Sequence, residues 1–146
     1  MRPLGRAILG AMLATALFLP APSRAGRVPW NQEKVTAIAA DLSRALERLR
    51  VALEGDPEQA SVVQERKRQG VLVDVRTLAR LSEDLAARLK AGQGLDETRP
   101  VYGEIQQVRR QARDAGRNLF TPDATQADIV AARGLLQRLE GFYEER

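Results

Sequence analysis

Apolar side chains recur every three or four residues in four stretches of this chain, the spacing of an α-helix with one buried face. Val35, Ile38 and Leu42 show it first, and they fall on one side of a helix. No stretch has the apolar–polar alternation that is typical of a half-buried strand. We therefore predict helices near residues 31–54, 57–91, 99–117 and 122–144.

Start and stop residues divide these helices. Asn31 is suited to cap the first helix and Gly55 to end it, while Asp56-Pro57 is suited to begin the second. Gly92 and Gly94 then supply its stop. Four amphipathic helices joined by short connections predict an all-α fold, an up-down-up-down four-helix bundle.

The N-terminal segment has the pattern of a secretory signal. Arg2 and Arg6 precede an apolar run of 13 residues, and small residues follow up to Ala25. The run is shorter than the ~20 residues that a membrane-spanning helix needs. We predict a cleaved signal peptide at 1–25, a helical domain at 26–146 and a periplasmic or secreted location; an uncleaved N-terminal anchor is the alternative.

Cleavage would change the charge balance. The chain has 23 Lys and Arg against 19 Asp and Glu. The predicted signal removes three arginines and no acid, which leaves 20 cationic residues against 19 acidic ones. Nucleic-acid binding favours a clear basic excess, so no nucleic-acid partner is expected. We also expect no transmembrane span in the mature chain.

The residue types that are missing exclude several chemistries. The chain has no histidine and no cysteine, and both methionines, Met1 and Met12, lie in the predicted signal. Serine–histidine and cysteine–histidine catalysis are therefore excluded. The usual ligands of zinc, copper and haem sites are missing as well. We predict a non-enzymatic protein with no cofactor and no metal.

In length and helix number the chain resembles the exported four-helix cytochromes, but their haem ligands and attachment residues are absent. It is also similar in size to the small envelope-stress chaperones of the periplasm, whose Leu-Thr-x-x-Gln signature has no match here. The resemblance is limited to architecture, and architecture alone does not define a function.

Two groups of cationic side chains are candidate contacts for an anion or a partner. One is a continuous run in the polar first half of the second helix, and the other has the three- and four-residue spacing of one helix face. Solvated faces, the second of them balanced by Asp114 and by acids of a neighbouring helix, are the alternative. The candidate residues are Arg66, Lys67, Arg68, Arg110, Arg113 and Arg117.

Aromatic residues are few, and three of them are candidates for a small pocket at one end of the bundle. These are Trp30, Tyr102 and Tyr143, and pockets between helices often contain aromatic side chains. Ordinary core packing is the alternative for all three.

These observations favour an exported, non-enzymatic helical bundle that binds a protein partner or an envelope component. The alternative is a small-ligand carrier with a pocket inside the bundle. The identity of the partner or ligand and the oligomeric state are left open by the sequence.

Overall fold

The computed structural model describes residues 28–55 and 61–144, and this part of the chain contains four helices and no strand. The prediction of an all-α, four-helix fold is confirmed. The predicted signal peptide 1–25 lies outside the described residues, as do residues 56–60. The helices are α1 Gln32–Glu54, α2 Val62–Lys90, α3 Leu95–Ala115 and α4 Asp123–Tyr143.

The first two helices begin at polar caps. The side-chain oxygen of Asn31 accepts a hydrogen bond from the backbone N–H of Lys34 at 2.9 Å, which confirms the predicted cap of α1. α2 begins at Val62, where the hydroxyl of Ser61 accepts the N–H of Gln64 and serves as the cap. The predicted start near residue 57 lies outside the described residues.

The connection from α2 to α3 is short. Gly92 has a φ of +90°, a left-handed conformation that glycine adopts without strain. α3 then begins at Leu95, about one turn before the predicted start. The carboxylate of Glu97 explains this early start, because it accepts the backbone N–H of Gly94 at 3.0 Å and satisfies a donor at the helix terminus.

The four helices alternate in direction but do not pack equally. α1 packs against α2 and α4, α2 also packs against α3, and α3 makes few contacts with α4. None of the described helices is both long enough and apolar enough to cross a bilayer. The largest side chains of the fully buried core are Leu42, Leu46, Leu85, Leu89, Ile105 and Leu139.

One polar side chain inside this core leads to a stability prediction. Ser82 is fully buried, and its hydroxyl has no hydrogen-bond partner among the described residues. A buried hydroxyl without a partner costs about 1–3 kcal/mol of desolvation. We therefore expect Ser82→Ala to raise the free energy of unfolding by about 1 kcal/mol, measured by urea denaturation.

Ser61→Ala is the matched control on the same helix, because it removes an exposed cap and should lower the free energy of unfolding by about 1 kcal/mol. A Ser82→Ala variant less stable than the wild type would show that the buried hydroxyl is hydrogen-bonded, and the prediction would then be wrong.

Candidate functional site

α3 and α4 contact each other where the last turn of α4 lies against the first two-thirds of α3. The Thr98 and Tyr143 hydroxyl oxygens lie 2.7 Å apart. A guanidinium nitrogen of Arg109 lies 3.2 Å from a carboxylate oxygen of Glu140. Beyond this ion pair, towards the loop that joins the two helices, α3 and α4 are separated by a groove.

This groove has a volume of about 740 Å³ and an apolar floor to which all four helices contribute. Most of the floor residues belong to the buried core or pack against it. The groove therefore lies directly over the core, whose side chains at this point are almost fully buried, and its accessible apolar surface comes from the half-buried residues Val71, Leu119 and Ile129. The apolar lining consists of Leu46, Leu49, Val71, Val75, Leu78, Ala112, Leu119, Ile129, Ala132 and Leu136.

The rim of the groove is cationic. Arg109, Arg110 and Arg113 reach it from α3 and Arg133 from α4, while Glu140 is the only acidic side chain in the lining. Glu140 is engaged by Arg109. Within the described residues, Arg110 and Arg133 form no ion pair. Two arginines beside an apolar floor thus have no anionic partner in this part of the chain.

The structure divides the predicted arginine face of α3. Arg110 and Arg113 line the groove, whereas Arg117 does not. Arg113 and Arg117 lie 3.7 Å and 3.4 Å from the same carboxylate oxygen of Asp114. Arg133 was not a sequence candidate. The sequence feature that could have identified Arg133 is its position within the apolar stripe of α4, four residues after Ile129.

The second predicted cluster also separates into two parts. The guanidinium of Arg68 donates to the backbone oxygen of Leu53 at 2.7 Å and pairs with Glu65, so it joins α2 to the end of α1. Hydrogen bonds from Gln69 and Arg68 lower the pKa of Glu65. No ion pair of Arg66 or Lys67 occurs in the described part of the chain.

The three candidate aromatic residues contact one another. Tyr102 and Tyr143 are stacked with ring centroids 4.1 Å apart, and Trp30 meets Tyr143 edge-on at 5.4 Å. None of the three rings lines the groove. Burial is the main cause of the raised pKa of Tyr143. Burial is also the main cause that raises the pKa of Tyr102, to about 12. The pocket expected among these rings stays a prediction, and the groove is elsewhere.

Asp74 directly precedes Val75, one of the α2 residues that line the groove. The described residues contain no ion pair of Asp74, and burial alone raises the pKa of its carboxyl group. It does not line the groove. It is therefore a partly buried carboxyl group on α2 that adds no negative charge to the lining.

Arginines on the outer faces of α1 and α2 form ion pairs. Arg50 pairs with Glu47 and Glu54, and Glu54 also pairs with Arg76 of α2 at 2.7 Å. Hydrogen bonds from Arg76 and Arg50 lower the pKa of the Glu54 carboxyl group. These arginines are thus balanced by neighbouring acids, as are Arg109 and Arg113 on the rim of the groove. Within the described residues, Arg110 and Arg133 have no such partner.

No group of histidine, cysteine, aspartate or glutamate side chains in the described ranges is arranged to hold a metal ion. Comparison with family models, curated proteins and solved structures finds no match for this chain. The groove between α3 and α4, with its apolar floor and its unpaired arginines, is therefore the candidate site on geometry alone.

Proposed function

We propose that this protein is an exported, non-enzymatic carrier that binds a small amphipathic anion in the groove between α3 and α4. The observation that carries the proposal is that an apolar floor lines the same groove as Arg110 and Arg133, two arginines without an ion pair among the described residues. The predicted signal at 1–25 supports export, and the absence of histidine and cysteine supports a binding role.

The floor fits the apolar part of such a ligand. Ligand pockets in proteins have volumes of about 300–1,000 Å³, and the groove, at about 740 Å³, lies within this range. Burying one methylene group stabilises a complex by about 0.8 kcal/mol. A linear or branched hydrocarbon tail on the half-buried side chains of Val71, Leu119 and Ile129 would therefore supply most of the affinity.

The rim fits the anionic part. A guanidinium presents a planar fork of donors that matches a carboxylate or a phosphate, and hydrogen bonds to charged groups contribute about 1.5–3 kcal/mol each. Arg110 and Arg133 come from α3 and α4 respectively. One head group between them would join two neighbouring helices that share few contacts.

Calorimetric titration tests the proposal with three probes. Dodecanoate has both parts of the ligand, dodecyltrimethylammonium has a tail of equal length with the opposite charge, and hexanoate has the same head with a shorter tail. We expect dodecanoate to bind below its micellar concentration, and the other two to bind at least about tenfold more weakly.

The double variant Arg110→Ala/Arg133→Ala should weaken dodecanoate binding by about tenfold to a hundredfold. Arg138→Ala is the matched control, because Arg138 is also an exposed arginine of α4 but does not line the groove. Equal affinities of the two variants, or equal binding of the cationic probe, would refute the anion carrier.

A protein partner is the second candidate, and the length of the groove favours it. The lining runs from Gln126 to Glu140 along α4, which is about 20 Å of helix. An acidic amphipathic helix of another protein could lie along it. A crosslinking pull-down from the native envelope fraction should then recover one dominant protein with wild-type bait, and lose it with Arg110→Ala/Arg133→Ala.

A further inference from the structure

The end of the bundle that carries the α3–α4 loop exposes a group of large apolar side chains. Phe120 is 83% exposed, Val62 is 77% exposed and Val63 is 62% exposed. We call these three residues the tip patch. Scattered single apolar residues are normal on a protein surface, but here an aromatic ring and two valines share one end.

The loop that carries Phe120 is attached to α2. The side-chain oxygen of Gln64 accepts the backbone N–H of Phe120 at 3.3 Å, and its amide nitrogen donates to the backbone oxygen of Asn118 at 3.4 Å. Gln64 follows Val63 directly in the sequence. These two hydrogen bonds hold the backbone of Phe120 beside the first turn of α2, the turn that carries both valines.

Two cations lie one helical turn behind the valines. Arg66 and Lys67 follow Val62 and Val63 by four residues, which places each cation on the same face as its valine. Neither cation forms an ion pair with a described residue, whereas the nearby Glu65 is engaged by Arg68. Apolar side chains thus lie at the very end of the bundle, and the cationic side chains lie one turn behind them. This is the order of the acyl and head-group layers in an anionic lipid surface.

We propose that the tip patch, with Arg66 and Lys67, is a docking surface for an anionic lipid bilayer. Aromatic and aliphatic side chains enter the boundary between head groups and acyl chains, while cations remain at the phosphates. A soluble polyanion would leave the apolar side chains in water. A second copy of the chain, docked tip to tip, would bring the cations of the two copies together.

The groove ends on this surface. Leu119 and Thr121, the neighbours of Phe120 in the loop, both line the groove. A bilayer bound at the tip patch therefore lies at the mouth of the groove, and an amphipathic anion could pass between them. This last step rests on the proposed carrier function, but membrane docking itself does not.

Vesicle sedimentation tests the docking surface. The full chain is mixed with vesicles of phosphatidylglycerol and phosphatidylcholine, or of phosphatidylcholine alone. We expect strong binding only to the anionic vesicles, about tenfold weaker binding for Phe120→Ser, and about thirtyfold weaker binding for Arg66→Gln/Lys67→Gln, since each cation near an anionic membrane contributes about 1 kcal/mol.

Val73→Ser is the matched control, because Val73 is an exposed valine of α2 that lies 11 residues beyond Val62, a distance of about 16 Å. It should bind like the wild type. The N-terminal segment is the same in every variant, so differences report on the tip patch alone. Arg110→Ala/Arg133→Ala should keep vesicle binding even if the carrier proposal fails.

Four outcomes would overturn the proposal. If Phe120→Ser bound anionic vesicles as strongly as the wild type, the apolar side chains would not contribute to docking. Equal binding to both vesicle types would show that electrostatic attraction does not contribute. A soluble polyanion such as heparin that binds wild type and Phe120→Ser equally, and displaces both from vesicles, would identify a polymer site. A dimer in light scattering that Phe120→Ser abolishes would identify a self-association surface.

Discussion

Tyr143→Ala is expected to lower the free energy of unfolding by about 3–5 kcal/mol, the usual cost of removing a buried aromatic side chain. The ring is only 4% exposed. It stacks on Tyr102 and meets Trp30 edge-on, and such aromatic pairs add about 0.5–1.5 kcal/mol beyond the area they bury. Because α3 and α4 share few other contacts, the neighbouring residues can only partly fill the gap.

Tyr143→Phe separates the ring from its hydroxyl group. Thr98 donates to the backbone oxygen of Gly94 at 2.7 Å, so the Tyr143 hydroxyl donates to Thr98. Removing this hydrogen bond should cost about 1 kcal/mol. Chemical denaturation of both variants measures the difference. A loss below about 1.5 kcal/mol for Tyr143→Ala would show that the cavity collapses and that the ring cluster does not hold α3 to α4.

Alkaline pH is expected to destabilise the protein through Tyr102. Burial, together with the charge of Glu140, raises the pKa of this tyrosine from 10.0 to about 12. Between these two values the unfolded chain releases the phenol proton while the folded chain retains it. The stabilisation is therefore complete below pH 10 and is lost as the pH rises towards 12, by on the order of 2 kcal/mol.

Denaturation series at several pH values, with wild type and Tyr102→Phe, measure this loss. The phenylalanine variant has no proton to release at this position, so its stability should fall less steeply between pH 10 and 12. Lysines and the other tyrosine titrate in both proteins and cancel in the comparison. Equal slopes would contradict the prediction, and tyrosinate absorbance should then show an ordinary pKa for Tyr102.

The helices could be predicted from the sequence because their signals are local. The cap at Asn31 and the stop at Gly92 depend on residues within one turn. The start of α3 was harder to predict from the sequence, because Pro100 suggested that the first helical turn lies near residue 99. In the structure, Glu97 completes the earlier terminus and Pro100 lies inside the helix, a choice that depends on how the connection packs.

The candidate site was only partly predictable. The spacing of Arg110, Arg113 and Arg117 placed them on one face, but only the first two line the groove. Asp114 lies within reach of both Arg113 and Arg117, so only Arg110 of this face has no ion pair among the described residues. Arg133 came into the site only because α4 lies across the groove from α3. The sequence pattern shows which residues share a helix face, but not which helix that face meets.

The positions of the aromatic residues were likewise only partly predictable from the sequence. Their type predicted that they would gather, and Trp30, Tyr102 and Tyr143 do lie together. Whether they enclose a pocket or close against each other depends on distances between three helix ends, and no spacing along the chain sets those distances.

The sequence by itself determined the fold class, the absence of histidine and cysteine chemistry, and the apolar face of each helix, because these follow from composition and from local period. Only the tertiary structure decided which cations are engaged and where the bundle is open. Arg68 is bound to Leu53 and Glu65, whereas Arg110 and Arg133 are left on the rim of the groove. An ion pair needs two groups within about 4 Å, and for residues far apart in the chain that proximity exists only after the helices have packed.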